Sequence, residues 1–113
     1  MKLRLTAKIS NKTAAEDWRK KYDEVGKFSE GLASVLLGDY ETGKYGFVNR
    51  QGKVIIPLKY DWVDDFYDGL AEVGLGPCNN VKYGLVDVTG KEVVKPKYDY
   101  VGRFYDGFAQ VGL

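Results

Sequence analysis

The carboxylates are the side chains of this sequence with the most capacity for chemistry, and several lie close together. Four aspartates fall within eight residues of one another: Asp61, Asp64, Asp65 and Asp68. Hard cations such as calcium bind several carboxylate oxygens at once, but this run lacks the alternating spacing and the glycine of an EF-hand loop. Asp61 also has counterparts at equal distances along the chain on either side, Asp23 and Asp99, which indicates a structural cap. We therefore interpret the run as solvated turn charges and predict no metal site.

The other candidate chemical groups lack the partners that they would need. Gly74-Leu75-Gly76 has the glycine content of a phosphate-binding loop, but no Lys-Ser/Thr pair or helix start follows it. Cys78 is the single cysteine, and the sequence has no histidine that could activate it or share a metal with it. We predict no catalytic residue, no enzymatic activity and no cofactor.

The composition is that of an ordinary soluble globular domain. The chain has 113 residues, of which 44% are hydrophobic and 29% charged, enough for one domain with a modest core. A formal net charge of +1 gives no reason to expect a nucleic-acid or membrane partner. The first ten residues contain no continuous apolar run of the kind that a secretion signal has, so we expect a cytoplasmic protein.

A tandem repeat dominates the sequence. Lys21-Tyr22-Asp23 recurs at equal intervals as Lys59-Tyr60-Asp61 and as Lys97-Tyr98-Asp99. The same register relates three further sets: Val25, Val63 and Val101; Phe28, Phe66 and Phe104; Gly31, Gly69 and Gly107. The period is about 38 residues, within the range of about 20–50 that indicates a repeat architecture. We divide residues 1–113, a single repeat domain, into an N-terminal cap (1–20), repeat 1 (21–58), repeat 2 (59–96) and half of a third repeat (97–113).

The first part of each repeat predicts a turn. Tyr22, Val25 and Phe28 are spaced by three, which is typical of one side of a short 3₁₀ or helical turn. Asp23 is expected to cap the backbone donors of that turn. Gly31 is expected to end it with a backbone conformation that glycine adopts at low cost.

The rest of each repeat predicts a three-stranded antiparallel meander. Residues 33–37 alternate apolar and polar side chains, as a half-buried strand does. Residues 44–48 and 53–56 form two more predicted strands, joined by residues 49–52 with the Asn and Gly positions of a type I turn. Gly46 and Gly84 inside predicted strands indicate a close backbone approach, which we expect from the next unit.

The repeat pattern resembles that of the bacterial WG repeats. The match runs from Tyr-Asp-x-Val-x-x-Phe-x-[Glu/Asp]-Gly-[Leu/Phe]-Ala-x-Val to aromatic-Gly-[Phe/Leu]-Val-[Asn/Asp]-x-x-Gly-Lys and covers residues 21–113. The Trp-Gly dipeptide of that family is Tyr45-Gly46 and Tyr83-Gly84 here, and tyrosine keeps the flat aromatic body. The resemblance implies an all-β repeat fold and an interaction or structural role rather than a reaction.

The chain holds two full repeats and half of a third, which leaves two arrangements open. Residues 2–9 alternate basic or polar with apolar side chains, as a strand does. We favour a pseudo-cyclic arrangement, in which this N-terminal strand completes the unit begun by residues 108–113. The alternative is an open row of units with a basic N-terminal cap. Thr13-Ala14-Ala15-Glu16 has the form of a helix capping box and predicts one short helix near residues 14–21.

Aromatic residues that recur in every comparable unit, such as Phe28 with Phe66 and Tyr45 with Tyr83, are expected in the core. Those that do not recur in every unit form the predicted binding site. Trp62 and Tyr100 align with Glu24, while Tyr67 and Tyr105 align with Ser29. Positions that accept Glu or Ser in one unit are expected to be exposed, so these rings predict a binding strip; the alternative is that they pack between units.

The loop between two predicted strands adds two amides to this strip, Asn79 and Asn80. We favour a non-enzymatic interaction or scaffolding module that binds a protein or peptide. The alternative is a carbohydrate-binding module that uses the same aromatics and amides. The sequence does not identify the partner or indicate an oligomeric state.

Overall fold

The computed structural model describes residues 18–39, 41–77, 79–105 and 108–112, and their regular secondary structure is almost entirely β-strand. The chain begins there with a 3₁₀ turn over Trp18–Lys21. Ten strands follow in the described residues: β1 (Glu24–Ser29), β2 (Leu32–Leu37), β3 (Lys44–Val48), β4 (Val54–Tyr60), β5 (Trp62–Val63), β6 (Leu70–Leu75), β7 (Lys82–Asp87), β8 (Glu92–Tyr98), β9 (Tyr100–Tyr105) and β10 (Phe108–Gly112).

The strands form consecutive antiparallel sheets. The first sheet has the order β1-β2-β3-β4, the second has the order β5-β6-β7-β8, and β9 pairs with β10 in a third. The prediction of an all-β fold built from tandem antiparallel units is confirmed. The prediction of three strands per unit is wrong by one strand, because the segment that was expected to be a turn is also a strand.

A β-bulge explains why that segment was predicted to be a turn. Val25 pairs with Val35, and Phe28 pairs with Ala33, so β1 takes three steps where β2 takes two. The extra residue lets Val25 and Phe28 pack against the same apolar cluster although they are three positions apart. The same irregularity recurs between β9 and β10.

The hairpins between the first two strands of each four-stranded sheet close with two-residue turns. Glu30 and Gly31 have φ values of 54° and 83°, and Asp68 and Gly69 have 53° and 85°. Positive φ at both central residues is the geometry of a type I′ turn, which matches the twist of paired strands. The positive φ predicted for Gly31 is confirmed, but it serves a hairpin and not the end of a helical turn.

The prediction of a close approach at Gly46 is confirmed, but the approaching chain belongs to the same sheet. Tyr45 pairs with Tyr60 and Phe47 with Ile56, so β4 inserts two extra residues opposite Gly46. A Cβ on Gly46 would overlap the carbonyl oxygen of Ile56 and lie 2.8 Å from the Leu58 nitrogen. Gly84 faces β8 in the same way.

The sheets stack face to face, and the main core lies between the first two. It joins side chains of the first sheet to those of the second: Leu32, Phe47, Ile56 and Tyr60 with Phe66, Ala71, Val73 and Val86. The opposite face of the first sheet, with Val35 and Val48, is covered by Trp18. Trp18 and Ile56 occupy corresponding positions of successive repeats, and Ile56 packs against the second sheet as Trp18 packs against the first.

The N-terminal predictions are only partly within the described region. The short helix predicted near residues 14–21 is a single 3₁₀ turn in its described part, and residues 14–17 lie outside the description. The N-terminal strand of the pseudo-cyclic arrangement also lies outside the described residues.

Candidate binding grooves

The first candidate site is a groove of about 790 Å³ at the junction of the first and second sheets. We name it the aromatic groove, because Trp62 and Tyr83 line it. Glu41, Gly43 and Lys44 of the first sheet and its β2–β3 loop form one side. The rest of its lining comes from Asp61 and from three residues of the β6–β7 loop: Gly76, Pro77 and Val81.

Strand pairing fixes the position of Trp62 in this groove. Trp62 lies opposite Gly74 on β6, and Gly74 lies opposite Tyr83 on β7. The rings of Trp62 and Tyr83 meet edge to face, with centroids 5.6 Å apart and planes at 89°. A Cβ on Gly74 would lie 2.6 Å from Val81 Cγ1 and 3.3 Å from the Tyr83 ring, so a side chain at this position would crowd the groove. Trp62 is 39% exposed and thus presents part of its indole to solvent.

The third sheet has a similar pair, in which an aromatic residue lies opposite a glycine on the neighbouring strand. Tyr100 lies opposite Gly112, where a Cβ would overlap its ring. In the first sheet the corresponding pair is Glu24 and Leu36, and Leu36 is buried. Aromatic rings that cover a cross-strand glycine are a known way to stabilise a sheet. These rings therefore have a packing role in addition to their exposed surface.

A salt bridge between the sheets borders the aromatic groove. Lys44 Nζ on β3 contacts Asp61 Oδ1, and Lys82 Nζ contacts Asp99 Oδ1 in the same way one unit later. Asp61 Oδ2 also accepts a hydrogen bond of 2.7 Å from the Gly76 backbone nitrogen. These bonds, with that from Lys44 the largest cause, lower the pKa of the Asp61 carboxyl.

The hydrogen bonds of this aspartate correct one prediction. Asp23 was expected to cap the turn that follows it, but its Oδ2 accepts a hydrogen bond of 2.7 Å from Gly38 N, 15 residues away. Asp61 and Gly76 repeat this contact. The aspartate therefore holds the far end of the first hairpin of its unit.

A second groove, of about 440 Å³, lies between the second sheet and β9. We name it the acidic groove, because three carboxylates line it: Asp64, Asp65 and Glu72. Leu70, Leu85, Val101 and Tyr67 supply apolar lining. Leu85 stands where the first sheet has Phe47, so a smaller side chain occupies this face of the second sheet.

Glu72 is the least solvated carboxylate of the acidic groove. Its residue is half-buried on β6, and the Asp64 backbone nitrogen donates to the Glu72 carbonyl oxygen at 2.9 Å, which holds the two residues together. Burial and, second, the negative charge of Asp64 raise the pKa of the Glu72 carboxyl. An ionised Glu72 is therefore less favourable in the folded chain than in the unfolded chain.

Replacing Glu72 with Gln is expected to stabilise the protein at pH 7. Because the folded-state pKa of Glu72 is raised, the folded chain binds the proton more tightly, and wild-type stability falls as pH rises through the interval between the ordinary value and the raised one. The gain should disappear well below pH 4.5, the ordinary value, where the carboxyl is protonated in both states. Thermal unfolding of wild type and Glu72→Gln at about pH 7 and about pH 3.5 measures this difference in stability. Glu24→Gln, on the exposed first strand, is the control. Equal stability of wild type and Glu72→Gln at pH 7 would contradict the electrostatic argument.

Comparison with known families identifies the class of the chain. The family described as WG containing repeat matches residues 20–40, 45–76 and 83–113, which is most of the chain. The chain belongs to the WG-repeat family. No curated protein and no solved structure matches this WG-repeat chain significantly.

The WG-repeat fold brings together some of the predicted site residues and separates others. Trp62 lines the aromatic groove, and the exposed Asn79 and Asn80 belong to the β6–β7 loop that borders it. Tyr67, 69% exposed, lines the acidic groove instead. Tyr100 is half-exposed opposite Gly112, and Tyr105 is the last residue of β9, with its side chain outside the description.

Sequence reasoning missed two groups of groove residues. Tyr83 recurs with Tyr45 and was therefore assigned to the core, but it is only half-buried and lines the aromatic groove. Asp64 and Asp65 were interpreted as solvated turn charges, and Glu72 was not among the candidate site residues. Their signal was that the matching positions of the first repeat are Gly26, Lys27 and Ser34, none of them acidic.

Two features are absent from the described residues. Within the ranges that the structure describes, no group of three Cys, Asp or Glu residues is placed to hold a metal ion. No helix in that part of the chain is long and apolar enough to cross a membrane.

Proposed function

We propose that this WG-repeat chain is a non-enzymatic interaction module that binds a protein or peptide partner in the aromatic groove. The observation that carries the proposal is the half-exposed Trp62, held edge to face against Tyr83 within a groove of about 790 Å³. Tryptophan and tyrosine are the residues that most often anchor protein interfaces. The edge-to-face contact with Tyr83 restricts the Trp62 ring before any partner arrives, which lowers the entropic cost of binding.

The walls of the groove suit a peptide with apolar side chains. Pro77 and Val81 extend the apolar surface beside the two rings. Lys44 and Asp61 form a salt bridge at the border of the groove. Their opposite charges therefore largely cancel each other there. Grooves that are mostly apolar with a few fixed polar groups are typical of ligand recognition.

A carbohydrate partner is the second candidate. It is favoured by the exposed part of the Trp62 indole together with the exposed Asn79 and Asn80 of the adjoining loop. A sugar ring would use the indole face for stacking and the amides for hydrogen bonds, whereas an apolar peptide side chain would pack against the exposed part of Trp62 beside Pro77 and Val81.

The test is peptide selection followed by mutation of the groove. Peptides of about twelve residues are selected against the wild-type chain from a random displayed library, and their affinities are measured by calorimetry. Trp62→Ala, alone and combined with Tyr100→Ala, should lower those affinities at least tenfold, because an aromatic anchor contributes about 2 kcal/mol and about 1.4 kcal/mol corresponds to tenfold. Circular dichroism should show that both variants stay folded, since the first unit has Glu24 at the same position.

Val88→Ala is the matched control. Val88 is an exposed apolar residue in the turn at the opposite end of β7 from Tyr83, and its replacement should leave peptide affinity unchanged. Selected peptides that bind the Trp62→Ala variant as tightly as wild type would overturn the proposal. Failure of all peptides combined with Trp62-dependent binding on a glycan array would establish the carbohydrate alternative.

A further inference from the structure

The acidic groove has an apolar lining and carboxylates that no cation of the described residues neutralises. Leu70, Leu85 and Val101 provide a surface that can cover an alkyl chain. Asp64, Asp65 and Glu72 line the same groove, and none of the described side chains that line it is basic. The two features together match a long basic side chain, which buries its methylene stem and keeps its charged end near carboxylates.

Other inter-unit carboxylates of the described chain are paired, which makes these three different. Asp61 contacts Lys44, Asp99 contacts Lys82, and Glu92 lies 3.4 Å from Lys59 Nζ and accepts a hydrogen bond from Tyr60. No ion pair or side-chain hydrogen bond to a cation is found for the acids of the groove among the described residues. Among the described residues, the other three inter-unit carboxylates therefore have cationic partners and the acids of this groove have none.

The fold does not require acidic side chains at these positions. In the first unit the corresponding residues are Gly26, Lys27 and Ser34, and the same strands pair there in the same register. Glu72 and Asp64 repel each other and are partly desolvated, which is unfavourable for the folded chain. Unfavourable charge placement that the fold does not need is expected at a functional site.

Tyr67 supplies a third element of recognition. Its side chain is 69% exposed and lines the groove beside the carboxylates. The groove therefore combines negative charge, an aromatic ring and an apolar surface within about 440 Å³.

From these observations we propose that the acidic groove is a second docking site, which binds a basic segment of a partner protein through an inserted lysine or arginine side chain. The site is separate from the aromatic groove, since no residue that the structure describes lines both grooves. A partner that carries apolar and basic residues in alternation would place the alkyl stem against Leu85 and the cation between Glu72 and Asp64.

The probe for this site is the blocked hexapeptide acetyl-Lys-Leu-Lys-Leu-Lys-Leu-amide, with a version containing Nε-acetyl-lysine as the uncharged comparison. Calorimetry should detect binding of the charged probe to the wild-type chain. Amide shifts in heteronuclear NMR should place it at Leu70, Glu72 and Leu85. Affinity should fall as salt is raised to about 0.15 M, where the Debye length is about 8 Å. The acetylated probe should bind at least tenfold more weakly.

The deciding variant is Asp64→Asn with Glu72→Gln, which should lower the affinity for the probe at least tenfold and leave the fold intact. Its matched control is Glu24→Gln with Asp39→Asn, which removes the same charge from exposed positions that line neither groove. Equal losses in the two double variants would show diffuse attraction and overturn the proposal, as would the absence of binding to wild type.

The Trp62→Ala variant separates this proposal from the function proposed for the aromatic groove. Affinity for the basic probe should be unchanged in Trp62→Ala, even if peptides selected on the aromatic groove no longer bind. A loss of the probe in Trp62→Ala would assign the binding to the aromatic groove and contradict a second site.

Discussion

Replacing Phe66 with alanine is expected to lower the free energy of unfolding by about 3–5 kcal/mol. Phe66 is 3% exposed and packs edge to face on Phe47 of the neighbouring sheet, with ring centroids 4.9 Å apart. Removing the ring leaves a cavity in the core that joins the first two sheets. Since a domain of this size has a total stability of about 5–15 kcal/mol, equilibrium unfolding in urea, followed by circular dichroism, should show a large shift of the midpoint.

Phe28→Ala is the matched control for this change. Phe28 occupies the corresponding position of the first repeat, but it is half-buried and contacts Trp18 and the Arg19 and Arg50 guanidinium groups instead of a second sheet. Its loss should cost clearly less than that of Phe66. Equal costs, or a cost for Phe66→Ala below about 1 kcal/mol, would show that the contact between the first two sheets contributes little.

The repeat made the main strands and much of the core predictable from sequence. Period-two alternation in residues 33–37 identified β2, and the recurrence of Phe28 and Phe66 pointed to buried rings, of which Phe66 is fully buried. Such features depend on neighbours along the chain and on the comparison of copies. They need no knowledge of how strands pair.

Features that depend on pairing were harder to predict. The spacing of Val25 and Phe28 has the period of a helical turn, and only the register against β2 shows that a bulge produces it. Asp68-Gly69, one repeat after Glu30-Gly31, is a hairpin signal that was available in the sequence, because Asp-Gly dipeptides favour type I′ turns. It was missed because the residues before it had been assigned to a turn.

The candidate site shows the same division. Comparison of repeats predicted that Trp62, Tyr67 and Tyr100 are exposed, and the structure confirms their exposure. That Trp62 meets Tyr83 over Gly74 depends on three strands pairing in register. That Tyr67 lies in another groove, beside Glu72, depends on the packing of β9 against the second sheet. Their roles in binding stay predictions.

Replacing Gly46 with alanine is expected to cost about 3 kcal/mol although it adds only one methyl group. The Cβ would overlap the carbonyl oxygen of Ile56 and lie 2.8 Å from both the Leu58 nitrogen and the Pro57 carbonyl carbon. These are backbone atoms of a bulged strand and cannot turn away as a side chain would. The strand must shift, and overpacking of this kind costs about 1–3 kcal/mol or more. Urea unfolding of Gly46→Ala against wild type measures the loss.

Gly31→Ala separates steric overlap from the general cost of replacing a glycine. Gly31 has a φ of 83°, and a Cβ there would meet nothing within 4 Å, so the cost is that of a left-handed conformation alone, about 1–2 kcal/mol. The Gly46 variant should be the less stable of the two despite its ordinary φ. If Gly31→Ala lowers the stability more than Gly46→Ala does, the backbone of β4 can move away from a Cβ at Gly46 at little cost. That result would contradict the steric argument. If Gly46→Ala is the more damaging, the aromatic-Gly dipeptide, Tyr45-Gly46 and Tyr83-Gly84 here, owes its glycine to the strand bulge that passes over it.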